Sequence, residues 1–384
     1  WNFSGPSFTI SAVETATFKA LELAEMLLAT EEVTAVVVGA VDLAGGVENV
    51  LLRSQFGKIN TGVNTLSFDQ NANGWNVGEG AGAVVLQRQD TALKNKQRIY
   101  AVVEALSIGQ SPSMAIDSRT ISDVCKKAFT QAGIKPEEIN YLEVSGSGIP
   151  QEDTAEIEGI LAAYPYVGNG LHCALGSIKA NIGHTFVASG IASLIKTALS
   201  LYYKYIPGTP KWSGVKTPQM WEGSPFYVAT ESRPWFLQKE VKCRISAINS
   251  IGCDGSFAHI LLSEEIQQEP RPSKYLESRP YHLFPISGDS ETSLITALNN
   301  LEKTLENGEC LSKVASETFS GFQKQSSANY TLSITGRNQK EVLKEINSAK
   351  KGITDAFINK KDWATPIGSY FTPKPLGKNG EVAF

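Results

Sequence analysis

The chain has 384 residues, 42% hydrophobic and 19% charged, with a net charge of −4 from 35 basic and 39 acidic side chains. That length accommodates two domains with an ample core, and the lack of any basic block excludes nucleic acid and anionic membrane surfaces as main partners. Five scattered cysteines (Cys125, Cys173, Cys243, Cys253, Cys310), never in a CxxC pair, fit reduced thiols in the cytoplasm and argue against zinc.

The first segment, GPSFTISAVETATFKALELA (5–24), runs through extended Phe8, Thr9 and Ile10 and turns at Ser11–Ala12. From Thr15 the apolar spacing is helical, so a helix is expected over 15–29. A side chain at such a strand-to-helix junction sits in the positive field of the helix N-terminus, which favours thiolates and oxyanions. The junction carries Glu14. Buried strands are expected at 33–39, 82–87, 99–107, 139–144, 172–176, 225–230, 243–249 and 257–264, and further helices at 118–132, 151–163 and 184–203. Near-continuous Val/Ile/Leu strands covered by helices on both faces indicate a layered α/β protein. Apolar runs such as TAVVVGAVDLAGG are too short and glycine-rich to span a bilayer.

After residue 264 the composition becomes polar and proline-bearing, so 265–279 reads as a linker. A compact α+β module is expected over 280–362, with a strand at HLFPISG, helices near 290–306 and 309–323, a strand at ANYTLSITG and a helix near 338–349. Residues 363–384 form an extended tail, and its closing GEVAF looks like the first strand of a further domain. The opening WNFSGP has no Met and no signal peptide, and reads as part of something longer.

Five segments, in order, carry a family resemblance. GPSFTISAVETATFKALELA is similar to the β-ketoacyl synthase nucleophile segment GPSxTVDTACSSSLxAL, and FDQNANGWNVGEGAGAVVLQR (68–88) to FDxxRDGFVxGEGAGxxVLE. YLEVSGSGIPQEDTAEIEGI (141–160) resembles VEAHGTGTxxGDxxE, and LGSIKANIGHTFVASGIASLIK (175–196) resembles GSxKxNxGHxxxAAGxAxxIK. NSIGCDGSFAHILLSE (249–264) resembles SSFGFGGTNAHxxLEE. The resemblance covers about 1–264. It implies a thiolase-like layered αβαβα fold lacking much of its first half, followed by a small α+β linker domain.

Condensation needs a thiolate to take an acyl chain, two His to stabilise an enolate, and backbone N–H groups to hold an oxyanion. By the resemblance, Glu14 stands at the nucleophile position and Ser145 at the first His, while the second His is kept as His184 with Lys179 before it. In the last turn Cys253 replaces Phe and Asp254 replaces a glycine, so backbone freedom is lost there. A carboxylate gives only a labile anhydride, which excludes ketosynthase activity for this segment. Members with Gln at the nucleophile position decarboxylate malonyl carriers, which makes a Glu14 decarboxylase the sharper enzyme alternative. A malonyl carboxylate at ~4 Å from Glu14 would meet repulsion of about 4 kcal/mol at an effective dielectric of 20. The favoured reading is a chain-length-factor-like, non-catalytic partner in which Glu14 forms a buried ion pair with Lys179 and His184, now relics. A third reading is an acyl-carrier-protein docking module, with Lys126, Lys127 and Lys135 as basic candidates.

Other positions read as structural. GEGAG (78–82) precedes a strand instead of opening a helix, so it is no phosphate loop and its glycines serve close packing. His259 is a core residue, His172 and His282 lack clustered partners, and Trp75 lines an acyl tunnel or packs in the core. The module after 280 and GKNGEVAF resemble the linker and the acyltransferase entrance of multidomain synthases, as in polyunsaturated fatty acid synthases. That resemblance implies no cofactor in this segment and substrates arriving on phosphopantetheinylated acyl carrier protein. It also implies a ketosynthase or a second copy as dimer partner, and an acyltransferase domain in the same chain.

Overall fold

The structure, a computed structural model, describes residues 5–375 apart from 44, 56, 166–169, 238–240, 268–280 and 325–327. The chain divides into two compact units, residues 1–268 and 269–384. Most of the expected linker and the GEVAF stretch lie outside the described residues.

In the first unit, a tight turn Val13–Thr15 leads into α1 (Ala16–Ala29), followed by β1 (Val36–Asp42), β2 (Gly80–Leu86) and β3 (Val102–Gln110). Next come α2 (Ser118–Ala132), β4 (Ile139–Glu143), α3 (Pro150–Ala163), β5 (Cys173–Gly176), α4 (Ser189–Tyr203), β6 (Phe226–Val228), β7 (Ile245–Ile251) and β8 (Ser256–Ser263). β1 pairs antiparallel with β2 from Val36↔Leu86 to Asp42↔Gly80. The other six strands form a mixed sheet in the order β3-β8-β7-β4-β5-β6. Pairing is antiparallel at β3/β8 and β8/β7 and parallel from β7 to β6. β7 and β8 are buried along their whole length, so their burial shows no alternation even though Ser246, Asn249, Ser250 and His259 lie within them.

Helices α1 and α4 lie between the β1–β2 ribbon and the six-stranded sheet. Their apolar sides (Phe18, Leu21, Ala24; Ile191, Leu194, Leu201) share one core with Val38, Tyr141, Ile248 and Ile260. The opposite sheet face is covered by α2 and α3, whose Ile121, Val124, Ile157 and Ile160 pack on Leu142, Phe257 and Leu261. The layers are therefore β, α, β, α, an α/β architecture of the expected class.

The differences from the sequence reading have local causes. The first strand runs 36–42, not 33–39, because Ala40 to Asp42 find partners in Gly80 to Gly82. Residues 5–12 pair with no described strand. The helix expected from 184 starts at Ser189, after Gly183 (φ 79) and a tight turn at Phe186–Ala188. The segment Phe186–Tyr203 is long and apolar enough to cross a membrane by composition alone, contrary to the reading of the apolar runs, and half of it is buried in the protein core.

The second unit is an antiparallel sheet of β9 (His282–Gly288), β10 (Tyr330–Gly336), β11 (Trp363–Ala364) and β12 (Tyr370–Phe371), ordered β9-β10-β12-β11. With it pack α5 (Glu291–Glu306), α6 (Leu311–Lys324) and α7 (Gln339–Asn359). Ser290 caps α5 by accepting the Ser293 N–H, and Asn338 caps α7 by accepting the Glu341 N–H. The last helix runs ten residues beyond the expected 349. Ile353 and Ala356 continue its buried stripe, and Gly352 leaves room for the Trp363 ring.

Gly159, inside α3, faces Ile121 and the Ser118 carbonyl, and a Cβ there would lie 2.5 Å from Ile121 Cγ2. Gly→Ala in a helix normally gains about 1 kcal/mol. Here overpacking should win, and urea unfolding of Gly159→Ala should show a net loss of about 1–2 kcal/mol.

Candidate functional site

The site is built where four segments meet: the Val13–Thr15 turn, the β4–α3 loop, the Ile178–Ala188 stretch and the β7–β8 turn. Val13 is held at φ 40, a left-handed conformation costly for a β-branched residue. The neighbours fix it there. Thr15 Oγ1 bonds Ala12 O and Ser256 Oγ, and Ser250 Oγ donates to the Glu14 carbonyl at 3.1 Å. The strained turn presents Glu14, whose side chain is buried.

Glu14 does not form the expected ion pair. Its Oε2 accepts the backbone N–H of Cys253 at 2.9 Å, and among the described residues no cation lies within 4 Å of it. The turn that supplies this N–H has not lost its geometry with its glycine. Gly255 carries the positive φ of 79, and Asp254 Oδ1 organises the turn by accepting Ser256 N–H and Oγ–H.

The β4–α3 loop is fixed by Glu156, a fully buried carboxylate that accepts Ser145 N–H (2.7 Å), Gly146 N–H (2.8 Å) and Asn249 Nδ2 (2.9 Å). Asn249 Oδ1 in turn accepts His259 Nδ1–H at 2.7 Å, and Tyr164 donates to His259 Nε2. His259 is thus the satisfied core residue its strand position implied, and burial pushes its pKa down to about 3. Ser145, at the first His position, turns its Oγ to the Ile251 N–H.

Lys179 is buried and donates from Nζ to the Ser145 carbonyl at 2.6 Å. Burial lowers its pKa, opposed by the charges of Glu156, Glu143, Glu14 and Glu152 in that order. His184 accepts the Phe186 N–H at Nδ1 (3.0 Å), which leaves its proton on Nε2. Burial first, then the positive charges of Lys179 and Arg53, hold its pKa well below the ordinary value. The imidazole stacks on Phe186, with ring centres 4.2 Å apart. Arg53, ion-paired to Asp42, lies 3.7 Å over the same Phe186 ring, and Trp75 meets it edge-on. Trp75 is a packed core residue, its Nε1 donating to Gly57 O. The glycines of GEGAG serve close packing as expected: a Cβ at Gly78 would lie 2.3 Å from Ile182 O.

Sequence reasoning missed Glu152. It replaces the glycine of the family's GTGTxxGDxxE motif, a substitution visible by aligning the two strings. Burial raises its carboxyl to about 7, Glu14 and Asp153 add to the rise, and Ser147 opposes it. Asp153 is likewise raised to about 7, by burial and then by the Glu156 charge. Phe186 and Arg53 were also missed, since nothing in their spacing places one over the other. Glu14, Ser145, Lys179 and His184 line one site, but Ser145 and Lys179 are bonded to its backbone.

Models of the β-ketoacyl synthase N-terminal domain and C-terminal domain match residues 1–92 and 100–212, together more than half of the chain. A model of the ketoacyl-synthetase C-terminal extension matches 218–332. The chain is 31% identical to one of the polyunsaturated fatty acid synthase proteins of Thraustochytrium sp., with all of this chain and 20% of that protein aligned. It is also 31% identical to polyketide synthase PksL of Bacillus subtilis over 76% of this chain and 6% of the relative. The chain therefore spans a fifth or less of these relatives. The ketosynthase from module 6 of the bacillaene synthase of Bacillus subtilis superposes with a TM-score of 0.65 at 26% identity, covering 98% of this chain and 64% of that one.

The two raised carboxyls set a pH dependence. The folded chain holds the protons of Glu152 and Asp153 more tightly than the unfolded chain, so their stabilising protonated forms are full below about 4 and lost as pH rises through about 7. For Glu152 that loss is on the order of 2 kcal/mol. Urea unfolding at pH 5 and pH 8 should show Glu152→Gln losing less stability across that interval than the unmodified chain.

Proposed function

The chain belongs to the β-ketoacyl synthase family, and from that premise we propose that its first unit is a non-catalytic, chain-length-factor-like scaffold within a polyunsaturated fatty acid or polyketide-type synthase. The observation that carries this reading is the Glu14 Oε2 bond to the Cys253 N–H. By the resemblance Glu14 stands at the thiol position, and its carboxylate is taken up by a backbone donor of the β7–β8 turn. Loss of one positioned donor costs about 10²–10³-fold, and loss of the nucleophile removes the covalent route altogether. The Ser145 hydroxyl faces backbone, so it supplies no second imidazole for an enolate.

In this reading the unit supports dimerisation with a ketosynthase or a second copy, accommodates the acyl chain and places an acyltransferase domain of the same chain. Substrates arrive on phosphopantetheinylated acyl carrier protein, and no cofactor is held in this segment. The decarboxylase alternative is disfavoured further by Glu152, a second acid whose carboxyl the Glu14 charge helps to raise. The acyl-carrier docking alternative draws no additional support from Lys126, Lys127 or Lys135.

In the full synthase, Glu14→Ala should leave product formation within about twofold, and incubation with acyl-loaded carrier protein should leave the chain mass unchanged. A covalent acyl adduct on this unit, or product loss beyond tenfold with the fold intact, overturns the proposal.

A further inference from the structure

We propose that the first unit carries a second ligand site, in the cavity lined by α1, β2, β3 and α4, whose ligand is a long unbranched aliphatic chain ending in a carboxylate paired with Arg98. None of the four segments that meet at Glu14 lines this cavity, so the proposal goes beyond the scaffold reading and does not rest on it.

The cavity has a volume of about 980 Å³, at the upper end of the roughly 300–1,000 Å³ of small-molecule sites. It lies where the layers end. β2 pairs only with β1 and β3 only with β8, so both are edge strands, and the helices packed between their sheets contribute to the lining. Leu21 and Leu28 of α1, Leu194 and Ala198 of α4 and Leu262 of β8 line it together with residues 83–86 of β2 and 102–106 of β3. Leu, Val, Ile and Ala dominate this lining, and Tyr100 is the one aromatic side chain among the lining residues. Such a surface favours burial of a flexible hydrocarbon and offers no pair of aromatic faces to a flat ring system.

The charged residues of the lining single out Arg98. Arg88 is occupied by Glu31 and Asp90, Glu104 accepts the Ser263 hydroxyl, and Glu25 is exposed to water. Among the described residues no carboxylate lies within 4 Å of Arg98. Its Nη1 donates to the Tyr100 hydroxyl at 3.4 Å, and its guanidinium lies 6.0 and 5.9 Å from the ring centres of Tyr100 and Tyr202. Its Nε is buried and has no hydrogen-bond partner. A buried charged donor left unpaired is costly, and the edge of a guanidinium matches the two oxygens of a carboxylate. An alcohol or ester would give Nε one neutral bond and leave the charge unpaired.

The test is competition on the full chain. Displacement of a dansyl-labelled undecanoate is followed by its fluorescence as octanoate, decanoate, dodecanoate or dodecanol is added. Affinity among the acids should rise about fourfold for each methylene. Arg98→Met, which keeps the apolar stem, should weaken dodecanoate about tenfold and leave dodecanol unchanged. Ala198→Trp, which fills the cavity, should weaken both. No displacement by dodecanoate, affinities that ignore chain length, or an equal response of acid and alcohol to Arg98→Met overturns the assignment. An unaltered dodecanoate affinity in Ala198→Trp, with the circular dichroism unchanged, puts the binding elsewhere and overturns it as well. A covalent acyl adduct at position 14 would sink the scaffold reading and leave these affinities where they are, so the two failures are distinguishable.

Discussion

The Glu156 carboxylate organises the site. It is fully buried, and it stays there because two backbone N–H groups and the Asn249 amide satisfy it. A buried carboxylate without such partners is costly, and a loop whose consecutive N–H groups have no acceptor is costly as well. Each cost is cancelled by the other. The loop so fixed aims the Ser145 carbonyl at Lys179, while Asn249 extends the network through His259 to Tyr164 at the back of the sheet. One carboxylate therefore couples α3, the β4–α3 loop, β7, β8 and the short helix at Lys179.

That coupling explains how the loop keeps its geometry whatever side chain stands at position 145. The groups that hold the loop are Glu156 and Asn249, not Glu14 or His184. Position 145 tolerates the change from imidazole to hydroxyl because its backbone N–H, not its side chain, meets Glu156. Position 254 tolerates the loss of glycine because the left-handed residue of the turn is Gly255. The strain at Val13 persists as well, locked by Thr15, Ser250 and Ser256 from outside the turn.

Much of this was legible in the sequence, but unevenly. Strand identity in β8 was clear because burial on both faces favours its apolar run Ile260 to Leu262. The start of β1 was not, because the run from Val33 to Gly39 is equally apolar throughout and only pairing with β2 decides the register. The helix end at Asn359 was hidden by Gly352, whose justification, the Trp363 ring, lies eleven residues away. At the site, the resemblance located Glu14, Ser145, Lys179 and His184, yet the ion pair inferred from their charges did not form. Opposite charge is a long-range criterion, whereas hydrogen bonding is decided over a few tenths of an ångström. Lys179 found the Ser145 carbonyl and Glu14 found the Cys253 N–H.

The bond to Cys253 also bears on why a glutamate, among all residues that abolish a thiol, suits position 14. A small residue at position 14 would leave the Cys253 N–H without this acceptor, at a cost of about 1–3 kcal/mol if it were dry. An aliphatic side chain would fill the volume and still leave that donor unpaired. A glutamate reaches it, accepting at 2.9 Å. One hydrogen bond thus ties the Val13–Thr15 turn to the β7–β8 turn and satisfies the donor at once.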